Sequence, residues 1–101
     1  MQLSPDSTPS ADFHERYQAL RKKFVTGIPK RLLAIEAATC TSVRMQLLHQ
    51  LAGAALNFEA KALGNLVKTH EVGLKDDFTA NWPACQALIS AEFRRLESET
   101  D

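Results

Sequence analysis

At 101 residues, the chain has room for one domain with a single modest core. Twelve Lys and Arg residues balance twelve Asp and Glu residues, and neither sign forms the long block that would follow a polyanion. No apolar run approaches the roughly 18 to 20 residues of a membrane span. We therefore expect a cytoplasmic protein that binds neither nucleic acid nor membranes.

The first ten residues predict a flexible tail, and residues 11–101 predict one helical domain. The tail holds two prolines, three serines and a threonine, without the basic start and apolar stretch of a signal peptide. Cys40 and Cys85 lack the paired Cys/His spacing of a zinc site, and two cysteines do not make a disulfide framework. We expect both to be reduced and structural.

A long apolar stripe follows the tail. Apolar residues recur at three- and four-residue steps over 13–38, which predicts a helical face that begins at a cap on Ser10 or Asp12. Gly27 and Pro29 interrupt this stripe, because proline removes a backbone donor and clashes with the preceding turn. The sequence leaves open whether the stretch is one kinked helix or two shorter ones.

Two further helices are predicted in the middle of the chain. Thr41 or Ser42 can begin one that runs to about Asn57. The next covers about 58–72, where Gly73 suits a left-handed helix end.

The last helix follows a polar connection at residues 75–77. It begins either near Asp77 or at the Asn81-Trp82-Pro83 segment, and it ends near Glu97. Short connections favour antiparallel neighbours, so we predict an all-α fold: an antiparallel four-helix bundle, up-down-up-down, with an extra or kinked N-terminal helix.

One helix carries a histidine on its outer face. At about 100° per residue, a narrow arc holds the predicted core stripe of Leu47, Leu48, Leu51, Ala55 and Phe58. His49 projects to the far side, and its neighbours there are Met45, Gln46, Gly53 and Leu56, with Ala52 at the flank. Gly53 costs about 1 kcal/mol of helix stability relative to alanine. Its missing side chain would let a bulky partner approach the imidazole, and the apolar neighbours have the composition of a docking patch.

Other interpretations stay open at this point. Outward histidines occur by chance, and close packing against another helix can also favour a helical glycine. His14 and His70 have the pattern of surface residues, and Trp82 and Phe93 that of core anchors. The sequence contains no Gly-rich phosphate loop, GxSxG or HExxH, so we do not expect an independent enzyme.

The segment HQLAGAALNFEAKAL resembles the signature of histidine-phosphotransfer domains, in which a histidine is often followed by lysine three residues later and glycine four residues later. FVTGIPKRLLAIEAA is similar to the preceding helix of many bacterial members, and LGNLVKTHE to the following helix. The resemblance covers most of the chain.

This resemblance implies a four-helix bundle in which His49 accepts a phosphoryl group from a receiver-domain aspartate and passes it to another receiver. A neutral imidazole offers a ring-nitrogen lone pair to phosphorus. Mg²⁺ and the groups that stabilise the transferring phosphoryl would belong to the receiver, so no cofactor or metal is expected on this chain. The implied partners are receiver domains of a hybrid histidine kinase or a response regulator, bound by a monomeric, non-enzymatic phosphocarrier.

Three residues depart from the family pattern. Ala52 stands where many members have lysine, so a cation near the phosphoryl oxygens is missing. Glu59 stands where members usually have a glycine in the turn, and Asn57 could adopt the unusual backbone conformation instead. Glu71 stands where some members place a glutamine; its carboxylate can orient the ring but would repel a phosphoryl group. The alternatives are an inactive relative that only docks a receiver, or a helical adaptor or dimerisation module.

Overall fold

The structure, a computed structural model, describes residues 9–100. This part of the chain forms helices and no strand, which confirms the all-helical prediction. The helices are α1 Pro9–Thr26, α2 Ile28–Ala37, α3 Thr41–Asn57, α4 Lys61–Asp76 and α5 Phe78–Thr100. Most of the predicted tail, residues 1–10, lies outside the described residues.

The interrupted stripe forms two helices, and Gly27 alone separates them. The Gly27 N–H donates to the carbonyls of Lys23 and Phe24, and the Gly27 carbonyl accepts from the N–H of Arg31 at 3.2 Å. Pro29 lies in the first turn of α2, where its missing N–H breaks no helical hydrogen bond. The chain therefore changes helix here without losing its backbone hydrogen bonds.

Only the second half of the apolar stripe is buried. The buried members are Phe24, Ile28, Leu32 and Ile35. The stripe is helical as predicted, but Phe13 and Leu20 in the first part of α1 are 70% and 55% exposed. Helix α1 packs mainly against α5 and α2, and this packing leaves the side chains of Phe13 and Leu20 exposed.

Helix α4 is displaced toward the C-terminus relative to its predicted range. It begins at Lys61 and runs to Asp76, so Gly73 lies inside it. No described glycine has a positive φ, and the predicted left-handed end at Gly73 is wrong. The Gly73 carbonyl instead accepts from the Asp77 N–H and from Asn81 Nδ2, each at 2.9 Å. The second of these bonds comes from α5, which the local sequence does not show.

Helix α5 begins at the earlier of its two predicted starts. Phe78 is its first residue, and the carboxylate of Asp77 accepts the N–H of Ala80 at 3.1 Å. This bond satisfies one of the free donors of the first turn. Pro83 consequently lies inside the helix, which runs past its predicted end to Thr100.

The core lies where α2, α3, α4 and α5 meet. Its fully buried side chains are Val25, Ile28, Ile35, Leu48, Leu51, Leu63, Val67, Leu74, Cys85, Ile89 and Leu96. Of the predicted stripe on α3, Leu47 and Phe58 pack at the edge and the rest is buried. Trp82 is buried, as predicted, and its Nε1 donates to Glu36 Oε2 at 2.8 Å; Phe93 is half-buried.

One end of the molecule is held by Arg44, in the first turn of α3. Its guanidinium donates to the carbonyls of Ile35 and Ala38 at the end of α2, and it lies 3.7 Å over the ring of Phe78 at the start of α5. These carbonyls would otherwise lack partners at the helix end. Arg44 therefore joins three helices at this end.

A second set of contacts holds the opposite end. Arg21 Nε donates to the Phe58 carbonyl at 2.9 Å, and its guanidinium lies 3.7 Å from the carboxylate of Glu99. The ring of Phe24 stacks on that of Phe58 at 5.4 Å between centroids. The end of α1 thus meets the ends of α3 and α5.

Candidate functional site

His49 projects from the outer surface of α3 toward solvent, and 78% of its side chain is exposed. Its Nδ1 lies 4.0 Å from Oε1 of Glu71, on the adjacent helix α4. This distance is longer than a hydrogen bond, so the contact is an electrostatic one. The structure therefore places the carboxylate of Glu71 beside the imidazole of His49.

The carboxylate of Glu71 is shielded where it faces the histidine. Its side chain is 28% exposed, and Oε1 is buried without a hydrogen-bond partner among the described residues. A buried acceptor without a donor is costly, so a donor at Nδ1 of His49 is favoured. A proton on Nδ1 leaves the lone pair on Nε2, the nitrogen that points away from Glu71.

A groove of about 660 Å³ runs between α3 and α4 and includes both residues. Its lining consists of Thr41, Ser42, Met45, Gln46, His49, Glu71, Val72 and Lys75. Met45 is half-buried against the core, whereas Val72 is 73% exposed. The sequence did not point to Val72 or Lys75 as site residues, since one helix does not show which of its residues face α3, and Lys75 lies beyond the predicted helix end at residue 72. The groove offers an apolar surface next to the imidazole.

Gly53 leaves the helix surface open one turn beyond His49. A Cβ placed there would meet nothing within 4 Å, so packing inside this chain does not account for the glycine. Gly64 on α4 is different: a Cβ there would lie 2.9 Å from the side chain of Leu56. Close helix packing thus explains Gly64, while Gly53 faces free space beside the imidazole.

Two members of the predicted docking patch do not form an open surface. Ala52 is only 1% exposed, so its assignment to the patch is wrong. The reason is the close approach of α4, where a Cβ on Gly64 would lie 3.3 Å from the Ala52 carbonyl. Leu56 is half-buried, with its side chain against the same glycine. Gln46 and Gly53 remain exposed beside His49.

The turn after α3 has its unusual backbone conformation at Glu59, whose φ is 62°. Asn57 is the last residue of α3, so its assignment to this conformation is wrong. The Glu59 N–H donates to the Leu56 carbonyl at 3.1 Å, and the Ala60 N–H to the Ala55 carbonyl at 2.7 Å. This pair of bonds is a Schellman motif, whose left-handed residue is usually glycine. Glu59 stands where histidine-phosphotransfer domains usually have glycine, and its backbone has the conformation that favours glycine.

The remaining histidines do not join the site. His14 is exposed on α1, and His70 Nδ1 lies 2.9 Å from the Leu66 carbonyl one turn earlier in α4. Among the described residues, no group of three or more His, Cys, Asp or Glu could hold a metal ion.

Both cysteines are free, in different surroundings. Cys85 is buried in the core, and burial raises the pKa of its thiol to about 11. Cys40 is exposed at the start of α3, and a hydrogen bond with the Ser42 hydroxyl lowers the pKa of its thiol.

Comparisons of the chain with protein-family models, with curated proteins and with solved structures find no match. None of the described helices has the length and apolar character needed to cross a bilayer.

Proposed function

We propose that this chain is a phosphocarrier of the histidine-phosphotransfer kind, with His49 as the acceptor. The observation that carries the proposal is the pairing of an exposed imidazole with the shielded, unpartnered oxygen of Glu71 at 4.0 Å. This pairing suits a nucleophile whose second ring nitrogen must be held protonated.

The transfer needs no proton to move. The Nε2 lone pair of His49 attacks phosphorus of an aspartyl phosphate, and the P–O bond electrons leave with the aspartate carboxylate. Nδ1 keeps its proton, so the phosphorylated ring is a cation, and the carboxylate of Glu71 stabilises that charge. Transfer to a second receiver is the same step in reverse. Glu71 lies on the Nδ1 side of the ring, away from the phosphoryl oxygens it would otherwise repel.

The receiver domain supplies the rest of the chemistry. Its Mg²⁺ and charged side chains stabilise the metaphosphate-like transition state, while this chain contributes a positioned nucleophile. In this proposal the partners are receiver domains of a hybrid histidine kinase or a response regulator, and the carrier is a cytoplasmic monomer. Gly53 and the exposed part of the groove give the receiver access along the surface of α3.

We infer an up-down-up-down four-helix bundle of α2–α5, extended at its N-terminal end by α1. Contacts of α2 with α3 and α5, and of α4 with α3 and α5, support a closed arrangement. The Arg44 contacts support an end of the bundle where α2 finishes and α3 and α5 begin. The Asn81 bond to Gly73 supports the end of α4 at the same place.

A docking-only relative is the second candidate function. The observation in its favour is Ala52, which provides no cation three residues after His49 and is buried. Such a protein would bind a receiver through the same groove without carrying phosphate.

Transfer of labelled phosphate from a panel of phosphorylated receiver domains tests the proposal. The wild type and the control variant His70→Gln should acquire acid-labile label, and His49→Gln should acquire none. Circular dichroism checks that all three proteins are equally helical. Equal labelling of His49→Gln, or no label on a folded wild type from any receiver, would contradict the proposal.

A further inference from the structure

We propose that three lysines along one edge of α4 guide the acidic face of a receiver domain onto His49; this inference rests on the proposed function. The α4 lysine row consists of Lys61, Lys68 and Lys75. It would set how fast a receiver reaches the site, while His49 and Glu71 act in the transfer itself.

The spacing of the α4 lysine row places its members on one edge of the helix. They are seven residues apart, and each interval of seven turns the helix by only about 20° from two full turns. The three side chains therefore leave α4 within an arc of about 40°, at steps of about 10 Å. Lys75 lines the groove of His49, so this edge is the one that borders the exposed face of α3. All three lysines are exposed.

The α4 lysine row has one carboxylate beside it on the same helix, that of Glu71, which is three residues after Lys68 and four before Lys75 but lies against His49. None of its members forms an ion pair with a described residue, whereas Arg21 and Arg95 both pair with Glu99. Asp76 follows Lys75 directly but leaves the helix about 100° further round.

Helix α3 contributes almost no charge to the same face. Its only Lys, Arg, Asp or Glu is Arg44, and the guanidinium of that residue is held by the carbonyls at the end of α2. The one carboxylate lining the groove is that of Glu71, which faces His49. A chain with zero formal net charge thus presents a cationic edge beside its exposed imidazole.

The chemistry of an aspartyl-phosphate donor complements this edge. Carboxylates hold the Mg²⁺ of a phosphoryl-transfer site, and an acidic surface is attracted to a row of cations before contact. Lys75, which lines the groove, also provides a positive charge there, which Ala52 cannot provide from α3. We expect the α4 lysine row to act mainly on the association rate, as charges at the rim of an interface do.

The test compares two triple variants with the same change in net charge. One converts Lys61, Lys68 and Lys75 to Gln. The control converts the exposed lysines Lys22, Lys23 and Lys30, on α1 and α2, to Gln. Stopped-flow association of unphosphorylated, Mg²⁺-loaded receiver domains is measured with both variants, with the wild type and with His49→Gln.

At low ionic strength the α4 variant should associate about tenfold more slowly, with little change in dissociation, and the difference should vanish near about 1 M salt. The control variant should stay within about twofold of the wild type, and His49→Gln, which retains the row, should keep the salt dependence of the wild type. Equal slowing of both triple variants, a salt-independent difference, or no binding of any receiver to the wild type would overturn the inference. If association depends on the α4 lysine row but His49 acquires no label, the result would support the role of the row and contradict phosphotransfer. If His49 is labelled at equal rates in both triple variants, the result would support phosphotransfer and contradict the role of the row.

Discussion

At the scale of one residue, Gly53 is a helical glycine that packing inside the described chain does not explain. A glycine inside a helix costs about 1 kcal/mol relative to alanine, and a Cβ at this position would meet no atom of the described structure. Stability alone would therefore favour alanine. The open space lies one turn beyond His49, where a partner would approach the imidazole.

Replacing Gly53 should separate stability from transfer. We expect Gly53→Ala to raise the free energy of unfolding by up to about 1 kcal/mol, because the methyl group enters open space. Gly53→Gln should remain folded but slow phosphoryl transfer by at least about tenfold, because its side chain blocks the approach. Thermal melts and transfer rates measure the two effects.

Gly64→Ala is the matched control for this prediction. Its methyl group would lie 2.9 Å from Leu56, so overpacking of about 1–3 kcal/mol offsets the gain in helix propensity. An equal rise in melting temperature for both alanine variants, or unimpaired transfer by Gly53→Gln, would contradict this account of Gly53.

Glu59 carries backbone strain that a glycine would remove. Its φ of 62° lies in the left-handed region, which costs an ordinary L-residue about 1–2 kcal/mol. We expect Glu59→Gly to stabilise the fold by up to about 1 kcal/mol, since the greater freedom of glycine in the unfolded chain offsets part of the relief. Asn57→Gly, at the helical last residue of α3, should not stabilise the fold, because the backbone there has no positive φ to relieve. Urea denaturation checks both, and a loss of stability in Glu59→Gly would contradict the assignment.

At the scale of the helices, Arg44 connects three elements through one side chain. A guanidinium can donate to two carbonyls in a fixed geometry while it lies flat on an aromatic ring, and an ammonium cannot do both. We expect Arg44→Lys to lower the free energy of unfolding by about 1–3 kcal/mol, through lost charge-assisted hydrogen bonds to the end of α2. Arg94→Lys, at an exposed position of α5, should change it by less than about 0.5 kcal/mol. Equal effects of the two substitutions would contradict the role of Arg44.

Helix types were predictable from the sequence, and several helix ends were not. The apolar repeat and the abundance of helix-forming residues act locally, so they predict helices reliably. The end of α4 depends on Asn81, which donates to the Gly73 carbonyl from the next helix. The start of α5 depends on whether Asp77 or Asn81 supplies the cap, and both are good cap residues. Contacts between helices therefore decide where α4 ends and α5 begins.

At the scale of the whole molecule, the shape is elongated, and other helices cover only part of α1. The radius of gyration is 16.6 Å, against about 13 Å for a compact chain of this length, and the longest dimension is 60 Å. The extended α1 keeps Phe13 and Leu20 exposed. The sequence showed an apolar stripe but not its neighbours, so it did not show which part of the stripe is buried.

The candidate site was predictable where it depends on one helix and less so where it depends on two. Helical geometry alone placed His49 outward and Gly53 beside it. It also placed Ala52 at the surface, because a single helix does not show where α4 packs. Glu71 was assigned to the site from the resemblance to histidine-phosphotransfer domains. Recognising Val72 and Lys75 as groove residues required the full extent of α4 and its position beside α3.

The most direct test of the central claim is to locate the phosphoryl group by nuclear magnetic resonance. Protein with ¹⁵N-labelled histidine is incubated with a phosphorylated receiver, and ³¹P–¹⁵N couplings identify the modified ring nitrogen. We predict a coupling to Nε2 of His49, with Nδ1 protonated toward Glu71. A phosphoryl group on Nδ1 of His49, on another residue, or on no residue of the folded protein would contradict the account.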